Sequence, residues 1–222
     1  MPGTVAVTTR HGLWASRDGG ASWTRNVALP APDPRGLTCA GSEVVVADTQ
    51  AGVFVSTDLH DWRRVLPTAD RLSPSADGQA AFSLGGDDPS SRTAYVIQRT
   101  GARAVAVPLA ALRAAGLPGG PLLVQSSGVL AISPDGGATW RTAAQGSFAS
   151  LAVSPAFPQD GVVLMGGFRT GILRSADGGH TWNTVLANPA ALVPGSDAAG
   201  VAFLSATQAV CINPAFFTWQ PA

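Results

Sequence analysis

Short apolar runs recur along the chain, each closed by polar turn residues, and their order repeats. A run that opens on glycine, Gly12-Leu-Trp-Ala-Ser, returns as Gly52-Val-Phe-Val-Ser, Gly128-Val-Leu-Ala-Ile-Ser and Gly171-Ile-Leu-Arg-Ser. Upstream of each lies a second run, as in Val5-Ala-Val-Thr-Thr, Val44-Val-Val-Ala, Leu122-Leu-Val-Gln and Val162-Val-Leu-Met. Downstream, a tryptophan opens a third, as in Trp62-Arg-Arg-Val-Leu and Trp182-Asn-Thr-Val-Leu. Runs this short, rich in β-branched residues and bounded by Gly, Ser and Asp, read as strands.

The turn between the second and third runs carries a motif. Ser16-Arg-Asp18-Gly19-Gly20-Ala-Ser22-Trp23, Ser133-Pro-Asp135-Gly136-Gly137-Ala-Thr139-Trp140 and Ser175-Ala-Asp177-Gly178-Gly179-His-Thr181-Trp182 share the form S-x-D-G-G-x-[S/T]-W. A fourth copy, Ser56-Thr-Asp58-Leu-His-Asp61-Trp62, keeps Ser, Asp and Trp but is one residue shorter and lacks both glycines. A further cross-match links Ser73-Pro-Ser-Ala-Asp77-Gly78 with Ser154-Pro-Ala-Phe-Pro-Gln-Asp160-Gly161, and places a degenerate repeat without the motif at about residues 69 to 108. Repeats of four short strands at about 40 to 45 residues predict an all-β propeller of antiparallel four-stranded blades. Five blades fit the 222 residues best; six stays open, because the 37 residues from Trp182 to Trp219 nearly match the 39 from Trp23 to Trp62. The chain is expected to form one propeller domain over residues 1–222, with 87–121 as an irregular insertion. The C-terminal strands, Gly200-Val-Ala-Phe-Leu and Ala209-Val-Cys-Ile, are expected to complete the first blade, close the ring and remove its exposed edges.

Composition fits many short strands joined by tight turns: 26 glycines, 17 prolines and 13% charged residues. Net charge is zero, which leaves no electrostatic footprint for nucleic acid. Every basic residue is Arg, and Glu43 is the only Glu. Cys39 and Cys211 sit in apolar runs and read as separate buried thiols, with a bridge between the chain ends as the alternative. No stretch approaches a membrane span, and Met1-Pro-Gly-Thr shows neither a basic nor an apolar leader region. The chain as written reads as cytoplasmic, or as secreted if a leader has been removed.

The S-x-D-G-G-x-[S/T]-W motif in its strand frame resembles the Asp box, or BNR repeat, of sialidase-like propellers. The resemblance implies a propeller in which the box caps the hairpin between the third and fourth strands of a blade. Sialidases, some endoglucanases, sorting-receptor ectodomains and photosystem II assembly-factor propellers share this repeat, so it implies fold more firmly than activity. The residues themselves suit a structural staple: a short Asp accepts backbone N–H groups inside a turn, paired glycines supply positive φ, and Trp folds back as an apolar anchor. The staple residues are Ser16, Asp18, Gly20, Trp23, Ser56, Asp58, Trp62, Ser133, Asp135, Gly137, Trp140, Ser175, Asp177, Gly179 and Trp182.

No recognisable active site accompanies them. The sialidase set implied by the resemblance would need an arginine triad, a Tyr nucleophile assisted by Glu, and an Asp acid. This chain has one Tyr, Tyr95, and one Glu, Glu43, and Phe168-Arg169-Thr170 lacks the Ile-Pro of the family's arginine motif. A generic glycosidase needs only two carboxylates, for which Asp48, Asp87, Asp88 and Asp160 are the candidates outside the boxes, although their sequences read as turns. His11, His60 and His180 are isolated, so no metal site and no cofactor is expected. Binding candidates are Asp87, Asp88, Arg92, Arg113 and Arg169, and Pro108–Gly116 reads as a short helix available for partner contact. The expectation is therefore a non-catalytic scaffold, monomeric or part of a larger assembly, that binds a protein or a carbohydrate. A divergent glycoside hydrolase or carbohydrate-binding propeller is the alternative.

Overall fold

The computed structural model describes residues 4–48, 50–68, 71–85, 93–126, 128–146, 148–167, 171–186, 200–203 and 207–212. Every long element is a strand, and successive strands pair as antiparallel neighbours in chain order. The first sheet holds β1 (Val5–Thr9), β2 (Gly12–Ser16) and β3 (Thr24–Arg25). Four complete sheets follow. They are β4 (Pro34–Ala40), β5 (Glu43–Asp48), β6 (Gly52–Ser56) and β7 (Arg63–Leu66); β8 (Arg71–Pro74), β9 (Ala81–Gly85), β10 (Thr93–Gln98) and β11 (Gly101–Val105); β12 (Arg113–Gly116), β13 (Leu122–Gln125), β14 (Val129–Ser133) and β15 (Arg141–Gln145); and β16 (Phe148–Val153), β17 (Val163–Gly167), β18 (Gly171–Ser175) and β19 (Asn183–Leu186). A single helical turn, α1 (Phe157–Asp160), joins β16 to β17, and a last hairpin pairs β20 (Gly200–Phe203) with β21 (Ala209–Ile212). Five blade-like sheets thus follow one another along the chain, as the repeat predicts.

The chain divides into two compact units, Met1–Ala114 and Ala115–Ala222. In the first, sheets stack face to face, and alternation along the strands supplies both contacts. Val45, Ala47, Val53 and Val55 on one face of the second sheet pack with Ala81 and Ile97 of the third. Val44, Val46 and Phe54 on the other face pack with Leu13 of the first. A strand covered on both faces has no polar side, so β5 is the unbroken run Glu-Val-Val-Val-Ala-Asp, buried throughout. Among the last strands of the first two sheets, β3 is exposed entirely and β7 over Arg63 and Arg64. In the second unit Leu164 and Ile172 pack against Val201 and Phe203 of β20.

Two expectations are corrected. Pro108–Gly116 is not a helix: its last four residues form β12, with Ala114, Ala115 and Gly116 buried. Alanine's helical preference is worth only tenths of a kcal/mol per residue and yields to the ladder with β13. Gly116 adopts φ 130°, and a Cβ there would lie 2.2 Å from the Pro121 carbonyl oxygen. Cys39 is a free thiol and is exposed, because its side chain falls on the outward phase of β4.

Candidate functional site

Each motif forms the turn between the last two strands of its sheet, where Ser and Asp close hydrogen bonds within the turn. Ser16 Oγ donates to Asp18 Oδ1 at 2.7 Å and accepts from Gly20 N at 2.7 Å. The Asp18 carboxylate then receives Ser22 N at 2.9 Å and Ser22 Oγ at 2.6 Å. The same arrangement recurs at Ser133, Asp135, Gly137 and Thr139 and at Ser175, Asp177, Gly179 and Thr181. All three serines are fully buried. The glycines take positive φ in every full copy, 72° and 100° at Gly19 and Gly20.

The short copy reaches the same closure by another route. Leu59 N donates to Ser56 Oγ at 2.8 Å, while His60 N and Asp61 N donate to Asp58 Oδ1 at 2.7 and 2.9 Å. Leu59 takes the left-handed conformation, φ 67°, and it alone among the described non-glycine residues has positive φ. Such a backbone costs about 1–2 kcal/mol for a residue with a Cβ. Burial offsets it: Leu59 is 4% exposed and packs with Leu13, Leu29 and Phe54.

The tryptophans are less enclosed than their expected anchoring role implies. Trp23 is 40% exposed and Trp62, Trp140 and Trp182 are half-buried, because each ring lies over its own turn at the outer edge of a sheet. The indole of Trp23 donates to Gly20 O at 3.0 Å, and that of Trp62 to Leu59 O at 3.3 Å.

These bonds set the acidity of the carboxylates. Asp135 is lowered to about 2 by the Thr139 hydroxyl, then the Thr139 N–H and the Ser133 hydroxyl. Asp18 is held well below the usual carboxylate range by the Ser22 hydroxyl, the Ser22 N–H and Ser16, and Asp177 by the corresponding groups of Thr181 and Ser175. Asp58 is lowered by the N–H groups of Asp61 and His60. A general acid for glycoside cleavage needs the opposite shift.

Of the remaining carboxylate candidates, Asp48 and Asp160 are also bound into loops. Asp48 accepts Asp33 N, Gln50 N and Ala51 N at 2.8 to 2.9 Å. Asp160 accepts Ser154 Oγ at 2.7 Å and Val162 N at 2.8 Å. The Ser75–Asp77 pair ties the β8–β9 turn in the same manner, with Ala80 N donating to Ser75 Oγ. Two of the first-to-second-strand connections therefore use the Ser/Asp device as well. Glu43 is buried at the start of β5 with Arg63 3.8 Å away, and Tyr95 stands opposite Ser83 in the third sheet.

Among the binding candidates, Asp87, Asp88, Arg92 and Arg169 lie outside the described residues. Arg113 opens β12, and Arg71 opens β8 and reaches Leu112 O at 3.5 Å. Partial burial, and after it the charge of Arg71, lowers the pKa of Arg113. Sequence reasoning singled out Arg113 but not Arg71. Their proximity depends on how successive first strands stand beside one another, which residues 42 positions apart do not reveal.

No protein-family model matches the chain, and no curated protein matches it. Solved structures do. YCF48 from Cyanidioschyzon merolae superposes with a TM-score of 0.66 at 13% identity, over 96% of this chain and 77% of that one. A structure of YCF48 bound to D1 peptide gives 0.65 at 20% identity, over 90% and 69%. The GH74 enzyme of Niastella koreensis gives 0.64 at 19% identity, over 90% of this chain but 32% of that one. At these identities the likeness shows the fold: the chain is an all-β protein of the β-propeller class.

Proposed function

We propose that the chain is a non-catalytic propeller of the Asp-box type that serves as a binding scaffold for a protein partner. In this reading the Ser, Asp, Gly and Trp of the four motifs are staples that tie hairpins. The observation that carries it is the state of the carboxylates: in all four motifs, and at Asp48 and Asp160, the Asp oxygens accept hydrogen bonds from their own turn or loop. A carboxylate committed in this way is a structural acceptor, not a proton donor awaiting a substrate. The YCF48 structure with a bound peptide supports a protein partner for a chain of this fold.

Arg71 and Arg113 are the contact we assign to that partner, since Arg71 reaches Leu112 O beside Arg113 and the two guanidinium groups suit an anionic group of the partner. Affinity capture from the source organism, with the wild type and an Arg71→Ala/Arg113→Ala variant as baits, tests this. A partner recovered by the wild type and depleted about tenfold with the variant is the expected result. Equal recovery by both baits would overturn the assigned contact. The likeness to GH74 favours the second reading, a divergent carbohydrate-active propeller. Release of reducing ends from soluble β-glucans by the purified chain would establish that reading in place of the first.

A further inference from the structure

Within the first unit, a hollow of about 610 Å³ opens between the turn and outer strand of the first sheet and the short motif of the second. Its volume lies within the range of small-molecule pockets. Arg17, Arg25 and His60 line it together with Ser22, Thr24 and Asn26, and no acidic side chain is among its lining residues.

Its two arginines have no structural task. The S-x-D turn does not need Arg17, because the same position is Thr57, Pro134 and Ala176 in the other copies, which keep the same Ser–Asp hydrogen bond. Arg25 occupies the place that Arg64 holds in the second sheet. Arg64 donates to Pro67 O at 2.8 Å, whereas Arg25 has no hydrogen-bond or ion-pair partner among the described residues, and nor has Arg17. Asp18 and Asp58, the carboxylates of the two adjoining turns, accept hydrogen bonds from their own turns and form no ion pair with either arginine.

The site is also built. The Arg25 guanidinium lies over Gly12, where a Cβ would come within 3.3 Å of Nε, so the glycine leaves the space it occupies. Asn26 ties the two walls together: its Nδ2 donates to Leu59 O at 2.6 Å, and its Oδ1 accepts Ala28 N and Leu29 N at 3.1 and 3.0 Å. The hydroxyl of Thr24, another lining residue, has no partner among the described residues. Two arginines, a threonine and a histidine lining one hollow without a carboxylate among them supply the donors that an oxyanion with several acceptor oxygens takes. Ala15, Val27 and Ala28 give it an apolar side against which the rest of a ligand can rest.

We propose that this hollow binds a small molecule bearing a phosphate or sulfate ester. Phenyl phosphate and phenyl sulfate, with phenol as the uncharged control, test it by isothermal calorimetry at low salt. Saturable binding of at least one ester, no binding of phenol, and weakening of about tenfold or more in Arg17→Ala/Arg25→Ala are expected. Whichever ester binds more tightly identifies the source of the oxyanion. Both substituted side chains are exposed, so the variant keeps the wild-type melting temperature. Arg10→Ala, an exposed arginine away from the lining, should stay within about twofold of wild type. Failure of both esters to saturate the wild type, or equal binding by the double variant, overturns the assignment.

Discussion

At the scale of single residues, the motif carboxylates make stability depend on pH. Asp135 titrates at about 2 in the folded chain and near 3.8 when unfolded. A depressed folded value means the contribution is complete above the unfolded value and fades as pH falls toward the folded one. Asp18, Asp58 and Asp177 shift in the same direction. The melting temperature should therefore drop steeply between about pH 4 and pH 2. In Asp135→Asn that slope should be shallower and the deficit against wild type should shrink toward pH 2, as thermal melts across the window would record. Leu59 supplies a second residue-level test, because its left-handed backbone and its burial pull in opposite directions. Truncation to Ala keeps the Cβ and the strain while opening a cavity, at about 2–5 kcal/mol. Truncation to Gly opens a slightly larger cavity but recovers about 1 kcal/mol of backbone energy. Leu59→Gly should thus be the more stable of the two in urea unfolding, reversing the usual order of Ala and Gly.

At the scale of elements, the repeated glycine that opens the next-to-last strand of a sheet does more than end a turn. Gly12, Gly52 and Gly171 have φ of 116°, 99° and 82°, and in the first and fourth complete sheets the register against the next strand shifts one residue later. At Gly52 a Cβ would lie 2.1 Å from the Leu66 carbonyl oxygen, so neither the conformation nor the space admits a side chain. Gly52→Ala should cost about 2–4 kcal/mol by chemical denaturation, well beyond the loss expected from propensity alone. Such glycines were legible in the sequence, because the local chemistry of a tight turn repeats with its residues. Leu59 was not, since a leucine in the place of a glycine is permitted only by the apolar cluster that receives it, and that cluster is assembled from three other stretches of chain. The same limit explains β12, where an alanine-rich segment with helix-like ends is drawn into a sheet by strands that follow it. It also explains the tryptophans: their apolar character was plain, but their position at the outer edge of each sheet leaves them half-buried.

At the scale of the whole molecule, the repeat made the fold legible while the site was not, because stacked sheets bring together side chains whose sequence separation carries no signal. The side-chain bonds of the motif turns are local: those that Ser16 and Asp18, and Ser175 and Asp177, make within their turns span no more than four residues, while the backbone of the Ser175 turn also accepts Arg141 at Gly179 O and donates Gly178 N to Gly161 O. Ser16 lies in the first compact unit and Ser175 in the second, and the two turns share no hydrogen-bond partner. Replacing either buried serine by alanine removes the donor to Asp and leaves a glycine N–H without its acceptor, at about 1–3 kcal/mol. If the turns are local staples, the two losses act on separate parts of the native state, and Ser16→Ala/Ser175→Ala should equal the sum of the single variants to within about 0.5 kcal/mol. A coupling larger than that, measured by a double-mutant cycle in denaturant, would mean that the turns are linked through the stacked sheets and that their role extends beyond the hairpins they close.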